Sequence, residues 1–299
     1  MVLYNPKEWW RLIFAFHQSD TFRRTLPGIL GVAIFTGAVA YLENDILKVE
    51  FKNSTAIHSL VGFVLSLLLV FRTNTAYDRW WEGRKLWGAV VNDSRNLAMK
   101  IASMTEDAGY RTRFSALISN YSRSLRDHLR SLRNHEDFEF TEKYDGAYYD
   151  RATHLPNAVT TALYQQANEL HARQWINGQQ LLMLNAQLQS LTDTTGACER
   201  VKNTPIPYSY NIFLKKVIFL YVFTMPIGFV REFGYWAMPI VAALFYIFVS
   251  IEMIAEEIED PFGVDANDLP LDQICKNIHI QVAEIMAIDG ETLQNQIEV

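Results

Sequence analysis

The sequence predicts an all-α integral membrane protein with four transmembrane helices and a large helical region outside the bilayer. Half of the 299 residues are apolar (49%), yet the mean hydropathy is only −0.02. The apolar residues are concentrated in four runs that contain no Asp, Glu, Lys or Arg. Elsewhere the apolar residues recur at helical spacing, and the alternation typical of strands is scarce.

The four apolar runs comprise residues 26–42, 54–71, 217–230 and 233–251. A helix needs about 20 apolar residues to cross a bilayer, with about 17 as the lower limit. The first and fourth runs meet this length, whereas the apolar parts of the second and third are short. A short span is stable where protein surrounds it or where it lines a watery cavity, and we predict such a position for the second. Buried helices of a soluble protein are the alternative, but those normally turn one charged face to water.

Lysine and arginine are concentrated on one side of the predicted spans, and this asymmetry sets the orientation of the chain. They cluster before the first run, after the second and before the third, and fewer flank the opposite ends. The positive-inside rule therefore predicts that both termini and residues 72–216 lie in the cytoplasm. Together with residues 252–299, this stretch forms the predicted cytosolic region, and residues 1–299 are expected to form a single domain.

Hydrophobic spacing predicts several helices within residues 72–216. One continues directly from the second run, and further helices are expected over residues 158–175 and 181–191. In the charged and aromatic stretch 134–150 the apolar residues show no regular spacing, and we predict a loop there.

The sequence contains none of the common catalytic or nucleotide-binding motifs. Cys198 and Cys275 form neither a C-x-x-C pair nor a zinc set, and the seven histidines are scattered along the chain. Nothing combines a nucleophile, a base and an oxyanion site, so we predict that the chain is not an enzyme. The net charge of −6 argues against a nucleic-acid partner.

Three large apolar residues, Phe63, Leu67 and Phe71, follow one another at intervals of four in the second run. On a helix they form one line, which we call the apolar stripe. Ordinary helix packing is one interpretation. The other is that several copies of this helix surround an axis, where the stripe would form a hydrophobic constriction that gates by dewetting.

The second run leads directly into a polar helix that contains Arg72, Arg79, Trp80 and Trp81. The tryptophans fit an interfacial belt, and the arginines fit anchors at the cytoplasmic face. Alternatively, one arginine faces an aqueous vestibule and biases it toward anions.

Eight carboxylates lie from Glu252 to Asp272, on both sides of a Pro-Phe-Gly sequence that begins at Pro261. Proline ends a helix and Gly263 permits a sharp turn, so carboxylates from either side can converge. Converging oxygens suit Ca²⁺, although the EF-hand spacing is absent. A solvated acidic helix end is an equally weighted alternative.

Three segments of the chain together resemble the bestrophin family (bestrophin/UPF0187), in its prokaryotic branch. They are residues 71–88, which begin Phe-Arg and end Trp-Gly; residues 198–208, which contain Cys-Glu-Arg and Thr-Pro-Ile-Pro-Tyr; and the acidic segment 256–272. Each segment is weak alone, but in this order and with four spans the resemblance is specific. It covers nearly the whole chain.

The resemblance implies a homopentamer around one central pore, embedded in the lipid bilayer of a bacterial inner membrane and passively conducting small monovalent ions. The family's pore neck is lined by the second helix, and its three lining positions fall on the apolar stripe. Arg72 and Arg79 would then set the potential at the inner mouth. A second constriction, on a helix ahead of the Cys-Glu-Arg segment, would fall near Gln179.

Animal bestrophins carry a calcium clasp after Pro-Phe-Gly, and its side-chain ligand positions fall here on Glu257, Asp260, Asp265 and Asp268. Asn267 and its neighbour Ala266 interrupt the acidic run, so calcium gating does not follow from the resemblance. The segment could still bind Ca²⁺ or another cation, and no cofactor is expected to be required.

The neck residues indicate an ion preference. The positive ring edges of two phenylalanines in the neck favour chloride slightly. Two alternatives stay open: a cation-selective channel of the same architecture, and a non-conducting, membrane-anchored interaction or signalling protein.

Overall fold

A computed structural model describes residues 20–47 and 55–286. These residues form helices and turns without any strand, which confirms the all-α prediction. The helices are α1 (Asp20–Tyr41), α2 (Thr55–Met104), α3 (Ala108–Leu129), α4 (Gly146–Asp150), α5 (Leu155–Ala172), α6 (Gly178–Asn203), α7 (Tyr208–Phe233), α8 (Ala237–Glu259) and α9 (Leu271–Ile285). A π-helical segment, Leu42–Leu47, continues α1, and a 3₁₀ turn, Gly234–Trp236, joins α7 to α8.

The chain divides into two compact units. Among the described residues, the membrane unit comprises residues 20–47, 55–80 and 205–260, and the polar unit comprises residues 81–204 and 261–286. The first part of α2 belongs to the membrane unit, and the rest of this helix belongs to the polar unit.

As far as the chain is described, the first three predicted apolar runs lie in α1 with its π-helical extension, in α2 and in α7. The fourth run, 233–251, begins at the last residue of α7, crosses the 3₁₀ turn and continues in α8. Three helical stretches are long and apolar enough to cross a bilayer: Thr21–Ile46, Ala56–Met104 and Gly178–Glu259. The third is 82 residues long and contains three helices, of which α7 and α8 are the apolar ones. These apolar helices support a location in a membrane.

The core of the membrane unit is built by α1, α2, α7 and α8. Helix α1 packs on α8, and α7 packs on both of them. Gly28 of α1 lies against the ring of Phe245, where a Cβ would come within 2.6 Å of the ring. The glycine therefore lets α1 and α8 approach closely.

The polar unit is built around α3, which packs against α5, α6 and α9. Asp107 caps α3 by accepting a hydrogen bond from the Tyr110 backbone N–H. Cys198 of α6 and Cys275 of α9 are free and buried. Burial raises the pKa of Cys198 to about 12 and that of Cys275 to about 11.

Helix α6 is longer than the predicted 181–191. A capping box of Asn177 and Gln180 starts it at Gly178, and it continues to Asn203, just before Pro205. The spacing of apolar residues weakens after Leu191, where Thr and Asp residues follow, so periodicity alone underestimates this helix. The predicted loop 134–150 likewise ends in the short helix α4, which Asp145 caps.

Candidate functional site

The apolar stripe lies on the exposed side of α2. Phe63, Leu67 and Phe71 are 68%, 46% and 56% exposed in one copy of the chain. On the opposite side, Leu65 and Leu69 are buried and pack into the core of the membrane unit. Because the opposite side of α2 supplies the core contacts, ordinary packing within one chain does not account for the stripe. The predicted pore role of these three residues stays a prediction.

Side chains of α7 pack against the buried side of α2. A Cβ at Gly62 would overlap the hydroxyl group of Tyr221, a residue of α7. The glycine therefore leaves room for the Tyr221 side chain against α2. Gly62 thus lies on the core side of α2, away from the stripe.

Arg72 follows the stripe and is only 1% exposed. Its Nη2 donates a hydrogen bond of 2.7 Å to Oε2 of Glu259, and its Nε lies 3.6 Å from Oε2 of Glu252. The guanidinium is therefore balanced by two carboxylates of α8 in the same chain. The predicted role of Arg72 at an inner mouth stays a prediction. Any such role would involve Glu252 and Glu259 as well as Arg72.

Arg79 contacts the C-terminal end of α8, where Glu259 lies. Its Nε donates a hydrogen bond of 3.0 Å to the backbone carbonyl of Glu259, the last residue of that helix. Terminal carbonyls of a helix lack intrahelical partners and carry a partial negative charge, so an arginine is stabilising there. Oε1 of Glu259 also accepts a hydrogen bond of 2.7 Å from the Ile206 backbone N–H. Glu259 thus connects α2, α8 and the segment before α7.

The acidic segment contains a tight turn after α8. As predicted, the helix ends just before Pro261. The backbone N–H of Leu269 then donates to the carbonyl of Pro261 at 2.9 Å and closes the turn. Within it, Oδ2 of the buried Asp268 accepts a hydrogen bond of 2.7 Å from the Asp265 backbone N–H.

The predicted calcium-ligand positions fall in both units. Asp265 and Asp268 lie together in the turn of the polar unit. Glu257 and Asp260 belong to the membrane unit, where Oε1 of Glu257 lies 3.6 Å from Nη1 of Arg24. Calcium binding at these four positions stays a prediction.

Asp272, at the end of the acidic segment, is held by arginine. Two nitrogens of Arg130 donate hydrogen bonds of 2.9 Å to its two carboxylate oxygens. These bonds and the positive charges of Arg130 and Arg126 lower the pKa of Asp272 below its ordinary value. Asp272 therefore secures the first turn of α9 to the end of α3.

Gln179 is exposed in the first turn of α6. The Cys-Glu-Arg segment lies near the C-terminal end of this same helix, rather than after it as predicted. A second constriction at Gln179 stays a prediction.

Sequence reasoning did not identify Glu252 and Glu259 as the partners of Arg72. Arg72 and Glu259 are 187 positions apart, and no local spacing relates them. The signal in the sequence was chemical, because an arginine that directly follows an apolar run needs a counter-charge once it is buried.

Comparison with known proteins identifies the family. The chain matches the family described as Bacterial/Fungal Bestrophin protein over residues 1–284. A relative from Nostoc sp., named a voltage-dependent anion channel-forming protein, is 32% identical over 290 residues, which cover 94% of this chain and 93% of the relative. A protein of the same name from Synechocystis sp. is 36% identical over 235 residues, which cover 76% of each chain.

Solved structures agree in fold. The crystal structure of a bacterial bestrophin homologue from Klebsiella pneumoniae, determined for a mutant form, superposes with a TM-score of 0.80 at 23% sequence identity. The match covers 88% of this chain and 100% of that one. Together with the family match over residues 1–284, these similarities show that the chain belongs to the bestrophin family.

Proposed function

We propose that the chain is one subunit of a homopentameric channel that passively conducts small monovalent ions, with chloride slightly favoured. The exposed apolar stripe on α2 is the observation that carries this proposal. A line of Phe, Leu and Phe on the free side of an apolar helix is suited to form a hydrophobic constriction when copies of the helix surround an axis. The names of the Nostoc and Synechocystis relatives support an anion as the permeating ion.

The remaining features of the proposed channel follow from the family and from the charge pattern. Both termini would lie in the cytoplasm of a bacterial cell, and the spans would cross the inner membrane. The channel would perform no catalysis and require no cofactor. The acidic segment would brace neighbouring helices, and Ca²⁺ or another cation is the candidate ligand there.

The test is the current across a planar bilayer that holds the purified protein under a KCl gradient. We expect a reversal potential near the chloride equilibrium value, measured with and without Ca²⁺. A value near the potassium equilibrium potential would contradict the anion preference while keeping the channel. The absence of current under both conditions would favour the non-conducting, membrane-anchored interaction protein.

Shortening one side chain of the stripe should increase conduction. In Leu67→Ala the constriction becomes wider and easier to wet, so the single-channel current should rise. The matched control is Val61→Ala, an apolar, exposed residue of the same helix that lies about 120° around the axis from Leu67. An unchanged current in a correctly assembled Leu67→Ala protein, or an equal rise in Val61→Ala, would contradict the stripe as the gate.

A further inference from the structure

Two histidines and one glutamate of the polar unit converge at the junction of three helices. His128 lies in the last turn of α3, His154 is the residue before α5, and Glu199 lies in α6. Nε2 of His128 is 2.7 Å and Nε2 of His154 is 2.6 Å from the same atom, Oε1 of Glu199. The centres of the two imidazole rings are 4.3 Å apart. We call these three residues the His–His–Glu cluster.

The donor atoms of this cluster suit a transition metal. Each residue can offer one ligand atom, and all three atoms lie within 4.8 Å of one another. Two imidazole nitrogens and one carboxylate oxygen form a ligand set typical of Zn²⁺ and of neighbouring metals such as Co²⁺ and Ni²⁺. The hard cations Ca²⁺ and Mg²⁺ prefer sites made of oxygen alone.

The cluster is open to solvent. The side chains of His128, His154 and Glu199 are 33%, 28% and 30% exposed, so an ion can reach them from solvent.

We propose that His128, His154 and Glu199 bind one transition-metal ion of the Zn²⁺ class. The ligand atoms need only a small rearrangement. Around a tetrahedral ion with bonds of about 2.0–2.2 Å, neighbouring ligand atoms lie about 3.3 Å apart. The contacts of 2.6 and 2.7 Å therefore have to lengthen by less than about 1 Å, which partly exposed side chains allow.

The fourth coordination position would face a pocket. A cavity of about 290 Å³ is lined by His128 and Glu199 together with Ser131, Arg133 and Lys202. Three protein ligands leave one position of a tetrahedral ion for water or another small ligand. The cationic side chains in the lining favour an anion in that position.

His154 also has a structural role that metal binding would change. Its Nδ1 accepts a hydrogen bond of 3.2 Å from the Asn157 backbone N–H and so caps α5. A neutral ring that accepts at Nδ1 carries its proton on Nε2. Coordination at Nε2 moves this proton to Nδ1, which then can no longer accept the hydrogen bond that caps α5. Metal binding would thus remove one helix cap and add a link between three helices.

Zinc titration of the full-length chain tests the proposal. The protein is purified in detergent, stripped with EDTA and titrated with ZnCl₂ in a calorimeter. We expect one Zn²⁺ per chain to bind at this cluster, and His128→Ala and Glu199→Gln each to weaken binding by more than about 100-fold, because removing a ligand should cost more than losing an outer-shell partner. Elution volume and helical circular dichroism report whether each variant is folded.

His135→Ala is the matched control. His135 is also a partly buried histidine of the polar unit, and its Nε2 lies 3.7 Å from a carboxylate oxygen of Asp150. This pair is not part of the cluster, so zinc binding should not change. Equal zinc binding in the wild type, His128→Ala and Glu199→Gln would overturn the proposal, as would a loss in His135→Ala of the same size.

X-ray absorption of the zinc-loaded wild type provides a measurement that needs no variant. A site made of the cluster should give a shell of nitrogen and oxygen at about 2.0–2.2 Å, with the multiple scattering of two imidazoles. A zinc spectrum without imidazole scattering, or a wild type that binds no zinc, would show that the cluster is only a hydrogen-bonded network.

Discussion

Arg72 illustrates how one buried charge is accommodated next to an apolar stripe. This residue is 1% exposed, and its guanidinium is balanced by Glu259 and Glu252. Such a cluster is weak evidence for stability, because desolvation of the ions offsets much of their attraction. Removing one partner, however, leaves the other charges buried and unbalanced.

We therefore predict that Arg72→Ala is strongly destabilising. The loss should be about 3–5 kcal/mol in the free energy of unfolding, as for other broken buried ion pairs. The measurement is the thermal unfolding of the protein in detergent. Arg84→Ala, which removes an exposed arginine of the same helix, is the control and should change stability little. Equal melting temperatures for the two variants would contradict a structural role of the buried cluster.

The stripe and the ion pairs differ in how far sequence reasoning can identify them. Phe63, Leu67 and Phe71 are four residues apart, and the geometry of a helix places them on one face without further information. Arg72 and Glu259 are 187 positions apart, and Glu199 is 71 positions from His128 and 45 from His154. Only the packing of helices brings such residues together, so scattered histidines in the sequence become a cluster in the fold.

At the scale of elements, the turn between α8 and α9 depends on a glycine. A Cβ on Gly263 would lie 2.6 Å from Oδ2 of Asp268, the oxygen that accepts the Asp265 N–H. The carboxylate of Asp268 thus occupies the space that any side chain at position 263 would need.

Gly263→Ala should therefore destabilise the turn. We expect a cost of about 1–3 kcal/mol, typical of an overpacked buried site, seen as a lower melting temperature. Gly196→Ala in α6 is the matched control, since the added Cβ would meet nothing within 4 Å outside the backbone of its own helix. Alanine is the better helix former by about 1 kcal/mol, so this variant should melt at the same or a higher temperature. A melting temperature of Gly263→Ala at or above that of the wild type would contradict the crowding argument.

Helix existence was predictable from the sequence, whereas several helix ends were not. The break before Pro261 follows from the missing N–H and fixed backbone of proline, and the structure confirms it. The ends of α6 depend on the Asn177–Gln180 capping box and on polar residues that periodicity does not count. Short-range chemistry at a cap thus determines the boundary that hydrophobic spacing leaves open.

At the scale of the whole molecule, the membrane unit exposes many large apolar side chains in addition to the stripe. Ile34 of α1 and Phe219 of α7 are among them. Lipid accounts for such residues on the outside of a membrane protein, and further copies of the chain would cover the stripe. In the proposed channel, one copy would therefore have two kinds of apolar surface, one facing lipid and one facing other copies.

We predict a pentamer in detergent. Native mass spectrometry should give about five times the 34.5 kDa mass of one chain, after correction for bound lipid and detergent. Multi-angle light scattering at several protein concentrations provides the control against dissociation. A monomer or dimer that still conducts ions would contradict a neck formed by five stripes.

The two buried cysteines have a practical consequence for mapping an ion path. Cys198 and Cys275 are shielded from solvent, and burial raises the pKa of both, so neither forms a reactive thiolate at neutral pH. Thiol reagents should thus leave the wild-type chain unmodified. Single cysteines introduced along α2 can then be labelled from either side of the membrane without first replacing Cys198 and Cys275. The rate of labelling at each position would report how far water extends along the helix.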